Sequence, residues 1–153
     1  VVTGPTDPEP IRVVSVDDHP VIRRGIRALL QAETGFELVG EAATGADAVT
    51  VCVETRPDVV LMDLKLPGGM DGATATAEVL ARVPEAKLII LTTYSGDEAI
   101  HRALEAGARG YLLKDVLHEE LLSAVRSVHA GRRLLPAAVA ARLKEHGARV
   151  VLT

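Results

Sequence analysis

The chain has 153 residues, 48% hydrophobic and 2% aromatic, with 21 acidic against 17 basic side chains and a formal net charge of −4. That length suits one domain with its own core of Val, Leu, Ile and Ala, and the acidic balance argues against a nucleic-acid-binding surface on this stretch. No apolar run approaches the roughly 20 residues needed to cross a bilayer.

In chain order, residues 1–10 carry three prolines and little apolar periodicity. They are expected to form a disordered tail with none of the charged and apolar regions of a signal peptide. Cytoplasmic is therefore the expected location. Short apolar runs at 11–16, 36–41, 59–62, 88–91 and 110–113 read as strands, and amphipathic stretches lie between them. Val21, Ile22, Gly25, Ile26, Leu29 and Leu30 recur at helical spacing, as do Leu121, Leu122, Val125 and Val128. Cys52, the single cysteine, falls in an apolar run and reads as a small buried hydrophobe with no disulfide partner. Asp71 is expected to cap the third helix, and Ser95 with Glu98 to form a capping box for the fourth. Leu117, where the last helix should begin, is a poor cap. Gly131-Arg132-Arg133 should end that helix, and the arginine pair reads as a solvated linker. Pro136 and the Ala-rich stretch 137–145 then suggest a short linker helix. Five β units alternating with five α units predict a parallel sheet with helices on both faces and right-handed crossovers.

The chemistry sits where the strands stop. The first runs into Asp17-Asp18, the third into Asp63, the fourth into Thr92-Thr93 and the fifth into Lys114. Singly, each has an ordinary explanation: a solvated turn, a loop cap, a structural hydroxyl, a surface lysine. In a parallel sheet all of them converge on one edge, where ligands of open α/β folds bind. Carboxylates about 5 Å apart would repel by about 3 kcal/mol per pair at an effective dielectric near 20. Such a cluster raises a carboxylate pKa or recruits a cation. Mg²⁺ fits, because it takes oxygen ligands and keeps exchangeable waters. The outline is that of a phosphoryl-transfer site.

Val16-Asp17-Asp18-His19-Pro20, Leu61-Met62-Asp63-Leu64-Lys65-Leu66-Pro67, Leu91-Thr92-Thr93 and Ala106 through Asp115 together resemble the receiver domain of bacterial two-component response regulators. The Asp-Asp-His-Pro start and the Leu-Leu-Lys-Asp end resemble the NarL/FixJ-type subgroup. The resemblance covers 11–130 and implies a flavodoxin-like, doubly wound five-stranded sheet of order 2-1-3-4-5. It implies that Asp63 accepts a phosphoryl group from a sensor histidine kinase. Asp17, Asp18, Asp63 and the Lys65 carbonyl would hold Mg²⁺, with the Lys65 side chain in solvent. Thr92 and Lys114 would bind the phosphoryl oxygens, and Tyr111 would be the aromatic that moves with Thr92. His19 could approach the metal, but packing where the first helix starts is the favoured reading.

Such a protein is a switch and not an enzyme. It would form a homodimer on phosphorylation and bind DNA only through a further domain. Residues 131–153 read as a linker, and Leu152-Thr153 resembles the start of the segment that opens a NarL/FixJ-type helix-turn-helix domain, so a fragment ending before that domain is expected. No membrane partner is expected. A Mg²⁺-dependent phosphohydrolase would carry a second Asp two residues after its nucleophile, and Lys65 stands there. Two departures from the receiver pattern are Asp115, where many receivers have proline, and an extra glycine in 67–72.

Overall fold

Five short strands and five helices alternate along the chain in the computed structural model, which describes residues 9–93 and 97–134. The strands are β1 (Ile11–Val16), β2 (Phe36–Ala42), β3 (Val59–Asp63), β4 (Lys87–Thr92) and β5 (Gly110–Leu113). The helices are α1 (Pro20–Gln31), α2 (Gly45–Thr55), α3 (Gly72–Arg82), α4 (Asp97–Glu105) and α5 (Leu117–His129), the last preceded by a 3-10 turn at Lys114–Val116. All strands pair in parallel, in the order β2-β1-β3-β4-β5. The parallel pairing is what the strict alternation of elements predicts, and the order is the one that the receiver resemblance implies.

Side chains alternate across each strand, and that alternation divides the core in two. Val14, Val16, Val60, Met62, Leu88, Ile90 and Tyr111 pack on one face against α2, α3 and α4. Val13, Val59, Leu61, Ile89, Leu91 and Leu112 pack on the other face against α1 and α5. Every residue of β3 is buried, which is why its sequence is a continuous apolar run and not an alternating one. Cys52 lies fully buried in the first cluster, and burial pushes its thiol up to about 12. Among the described residues no helix is long and apolar enough to cross a membrane.

The local signals behave as chemistry requires. Pro20 occupies the first turn of α1, where its missing N–H is harmless. Asp71 caps α3, its Oδ1 accepting from Thr74 N at 2.9 Å. Ser95 lies outside the described residues, as do the region around Pro136 and the end at Leu152-Thr153. Residues 1–8 of the tail are outside them too. Helix α5 has no side-chain cap, in keeping with the weak signal at Leu117.

Past α5 the chain stays with the sheet. Leu134 makes a parallel bridge to Gly110, with Tyr111 N donating to Leu134 O and Leu134 N donating to Arg109 O, both at 2.9 Å. These bonds satisfy backbone groups on the outer edge of β5.

One close approach fixes the loop after β3. A Cβ on Gly72 would collide with the Asp63 carbonyl and stand 2.8 Å from Leu64 Cα. By contrast a Cβ on Gly25, inside α1, would meet nothing within 4 Å. Chemical denaturation should therefore separate two identical substitutions. Gly25→Ala should stabilise the fold by about 0.5–1 kcal/mol through helix propensity. Gly72→Ala should destabilise it by about 1–3 kcal/mol, because backbone must move to admit the methyl.

Candidate functional site

The C-terminal ends of β1, β3 and β5 bring three charged side chains together. Lys114 Nζ stands 2.7 Å from Asp17 Oδ2 and 3.1 Å from Asp63 Oδ2. Asp17, Asp63 and Lys114 are 0%, 5% and 7% exposed in their side chains, so the contacts are shielded from bulk water. Asp18 stands at the rim, its side chain 34% exposed. Its Oδ1 is nonetheless buried and accepts no hydrogen bond from the described residues. One ligand atom from each of Asp17, Asp18, His19 and Asp63 falls within 4.8 Å of the others.

Burial pushes the Asp63 carboxyl above its ordinary value and the negative charge of Asp17 adds to the rise, while Lys114 and the Lys65 N–H oppose it. Burial also disfavours the Lys114 ammonium. The hydrogen bonds and charges of Asp17 and Asp63 outweigh that, and its pKa stands above the usual lysine value. Three carboxylates against one ammonium leave the cluster with an excess of negative charge. Together with the unbonded Asp18 oxygen, this donor set suits a hard divalent cation, which prefers carboxylate and carbonyl oxygens.

The remaining expected residues fall around this centre. Lys65 N donates to Asp63 Oδ1 at 3.3 Å, while the Lys65 side chain is exposed, so it meets the site through its main chain. Thr92 is buried at the end of β4, opposite Leu113 in register. Tyr111 pairs with Ile90, two residues before Thr92, which puts Tyr111 and Thr92 on the same sheet face. A cleft of about 440 Å³ opens beside Asp18, lined also by Leu64, Lys65, Pro67, Asp71 and Arg102. The two glycines of the preceding loop, Gly68 and Gly69, both hold positive φ (90° and 88°), a conformation that favours glycine.

One expectation needs correcting. His19 does not pack where α1 starts: its ring is 63% exposed, with Nδ1 2.8 Å from Asp17 Oδ1 and 3.2 Å from Asp18 Oδ1. A hydrogen bond from the ring to a buried carboxylate holds it there. Other contacts were not read from the sequence. The Arg23 guanidinium donates to the Asp17 carbonyl and pairs with Glu41, fixing the backbone behind the site. Arg102 of α4 pairs with Asp71 at 3.0 Å, joining α4 to the cap of α3. Arginines four residues apart in α1, Arg23 and Arg27, were the available signal for the first; nothing local marked the second.

Carboxylates and an ammonium gathered at the C-terminal edge of a 2-1-3-4-5 sheet define a receiver domain. Comparison with known proteins agrees. The family model for the response regulator receiver domain matches residues 13–126, and the chain belongs to that family. It is 44% identical over 133 residues to the DNA-binding transcriptional activator DevR/DosR of Mycobacterium tuberculosis, covering 87% of this chain and 61% of that protein. It is 43% identical over 136 residues to the uncharacterized transcriptional regulatory protein YhcZ of Bacillus subtilis, covering 89% of this chain and 63% of that one. The chain thus spans somewhat under two thirds of the length of these relatives. Among solved structures, a two-component response regulator of the LuxR family from Aurantimonas sp. SI85-9A1 superposes with a TM-score of 0.82 at 37% identity. That match covers 91% of this chain and 99% of the other. The chain is a receiver domain of a two-component response regulator of the NarL/LuxR kind.

The electrostatics predict opposite effects for two neighbouring substitutions. The folded Asp63 pKa lies above the unfolded one, so ionised Asp63 opposes folding. That penalty is fully present above the folded pKa and disappears as pH falls below the unfolded value. In metal-free buffer at pH 7, Asp63→Asn should melt at or above the wild-type temperature, with the difference shrinking toward pH 4. Lys114→Ala should melt lower, because it leaves Asp17 and Asp63 facing each other without their shared cation. Thermal denaturation across that pH range, with chelator present, measures both.

Proposed function

We propose that Asp63 accepts a phosphoryl group from the phosphohistidine of a sensor kinase and that this chemistry switches a transcription regulator. The observation carrying the reading is the shared ion pair: Lys114 Nζ pairs with both Asp63, buried at the end of β3, and Asp17, just past the end of the neighbouring β1. In the transfer, an Asp63 oxygen forms a bond to phosphorus as the bond from phosphorus to the donor imidazole nitrogen breaks, and that nitrogen takes a proton from solvent. Asp63 is a weak nucleophile, so the reaction is helped chiefly by neutralising charge on the transferring oxygens. Lys114 supplies a buried ammonium for one of those oxygens. Thr92 offers its hydroxyl to another. Asp17, Asp18, Asp63 and the Lys65 carbonyl would hold Mg²⁺, which when bound supplies further charge neutralisation.

The cleft beside Asp18 gives a donor access to the edge of the sheet. The aspartyl phosphate then adds charge and acceptor oxygens next to Lys114 and Thr92. Thr92 drawn toward the phosphoryl group frees space on its own sheet face, where Tyr111 packs against the α4 cluster. Tyr111 and α4 shift, and the population moves to the active form.

Homodimerisation is the output that follows, with α1 and α5 as the preferred surface and α4 with β5 as the second. An apolar groove between α1 and the start of α5, lined by Val21, Ile22, Leu29 and Leu117, supports the first choice, and Val21 there is 74% exposed. DNA binding belongs to a domain outside 1–153, as the names of the longer relatives suggest. The domain itself is a switch and not an enzyme, and its place is the cytoplasm, where it meets the kinase.

Acetyl phosphate with Mg²⁺ should add one phosphoryl group to the wild type by intact mass and none to Asp63→Asn. Chelating Mg²⁺ should abolish labelling. Equal labelling of the Asn variant would mean another residue is the acceptor.

A further inference from the structure

We propose that His19 is a nitrogen donor to the cation site and biases that site toward borderline divalent cations, such as Ni²⁺, relative to Mg²⁺. This rests on the reading of Asp17, Asp18 and Asp63 as a metal site. Three observations single out the imidazole. Its Nδ1 lies 2.8 Å from Asp17 Oδ1 and 3.2 Å from Asp18 Oδ1, and it falls within the same 4.8 Å group as the three carboxylates. The ring makes no capping bond to α1 and is 63% exposed, so packing does not explain where it points. Finally, Asp17 Oδ1 already accepts from the His19 backbone N–H at 2.8 Å. The ring contact is thus a second bond to an oxygen that already has one, and a cation seated between them would take the place of the shared proton.

The backbone pre-sets this placement. His19 is extended (φ −94°, ψ 113°), as a residue preceding proline must be, and Pro20 opens α1. From there the ring reaches the two carboxylates that follow β1. A single ring N–H cannot serve both carboxylate oxygens, and Asp18 Oδ1 is left buried without a hydrogen bond. The fully buried Asp17 side chain lies directly beside it. A ring nitrogen and carboxylate oxygens within 4.8 Å of one another form a mixed donor set.

The two classes of cation should respond differently to that set. Mg²⁺ takes oxygen ligands and gains little from an imidazole. Ni²⁺ accepts imidazole readily as well as oxygen. The ratio of the two affinities, compared between variants, cancels the intrinsic preference of any such site for the later metal.

The test is calorimetric titration of the wild type, His19→Gln and Asp18→Ala with Ni²⁺ and, separately, with Mg²⁺. Glutamine keeps a hydrogen-bonding side chain over the carboxylates but removes the ring nitrogen. In His19→Gln, Ni²⁺ should bind about tenfold or more weakly, with Mg²⁺ held within about twofold. Asp18→Ala should weaken both. An equal change for the two cations in His19→Gln, or no change in either, overturns the proposal. So does Ni²⁺ binding that survives in Asp18→Ala, which would place the ion on other histidines. A wild type that fails to bind Mg²⁺ at all would overturn the metal-site reading itself and this inference with it.

Discussion

The Lys114 ammonium bridging Asp17 and Asp63 is the constraint on which the edge of the sheet depends. Two carboxylates at the ends of adjacent strands, both almost wholly buried, would otherwise oppose each other in a medium that screens poorly. Lys114 directly follows β5, which lies two strands away from β3 and three from β1. Strands spaced at about 4.8 Å put the β5 backbone about 10 Å from β3. The long lysine stem and the 3-10 turn at Lys114–Val116 bring Nζ across that gap. A shorter cation could not make both contacts. The pairing still leaves Asp63 above its ordinary pKa, which shows how strongly burial opposes its charge.

The same strand ends couple the site to the rest of the molecule along two routes. Asp17, Asp63 and Lys114 continue the alternation of Val13, Leu61 and Leu112, the face covered by α1 and α5. Thr92 continues the alternation of Leu88 and Ile90, the face covered by α2, α3 and α4, where Tyr111 is buried. The residues gathered at this edge thus lie on opposite faces of the sheet. A second connection runs through backbone: Gly72 abuts the Asp63 carbonyl, Asp71 caps α3, and Arg102 ties that cap to α4. Ion pairs this exposed are worth less than about 1 kcal/mol. Arg102 can therefore orient α4 without locking it. On the outer edge of β5, Tyr111 N is bonded to Leu134 O, so Tyr111 also holds the chain leaving α5.

Much of this was legible in the sequence because it follows from period and position. Strand-length apolar runs ending in Asp, Thr and Lys specify both the sheet and its charged edge, and the observed strands match the expected runs to within a residue or so. Asp71 was identifiable as a cap because the helix that follows needs a side-chain acceptor at that place. The strand order was not legible from spacing and came through resemblance alone. Contacts between residues far apart in sequence were also hidden. The Arg102–Asp71 pair spans 31 positions, and the Leu134 bridge depends on how the chain turns at Gly131. The placement of His19 was missed although its partners are local: Asp17 and Asp18 are the two residues before it, and the ring reaches back to them instead of packing on the helix.

The central claim is that Asp63, held beside Lys114, is where a phosphoryl group binds. The most direct measurement is ¹⁹F NMR of the protein with beryllofluoride, an analogue of the aspartyl phosphate, in wild type and Lys114→Ala. The wild type should show resolved bound-fluoride resonances that require Mg²⁺, and Lys114→Ala should lose or shift the resonance of the fluorine that its ammonium contacts. Bound resonances that persist without Mg²⁺, or that are identical in the two proteins, would contradict the account.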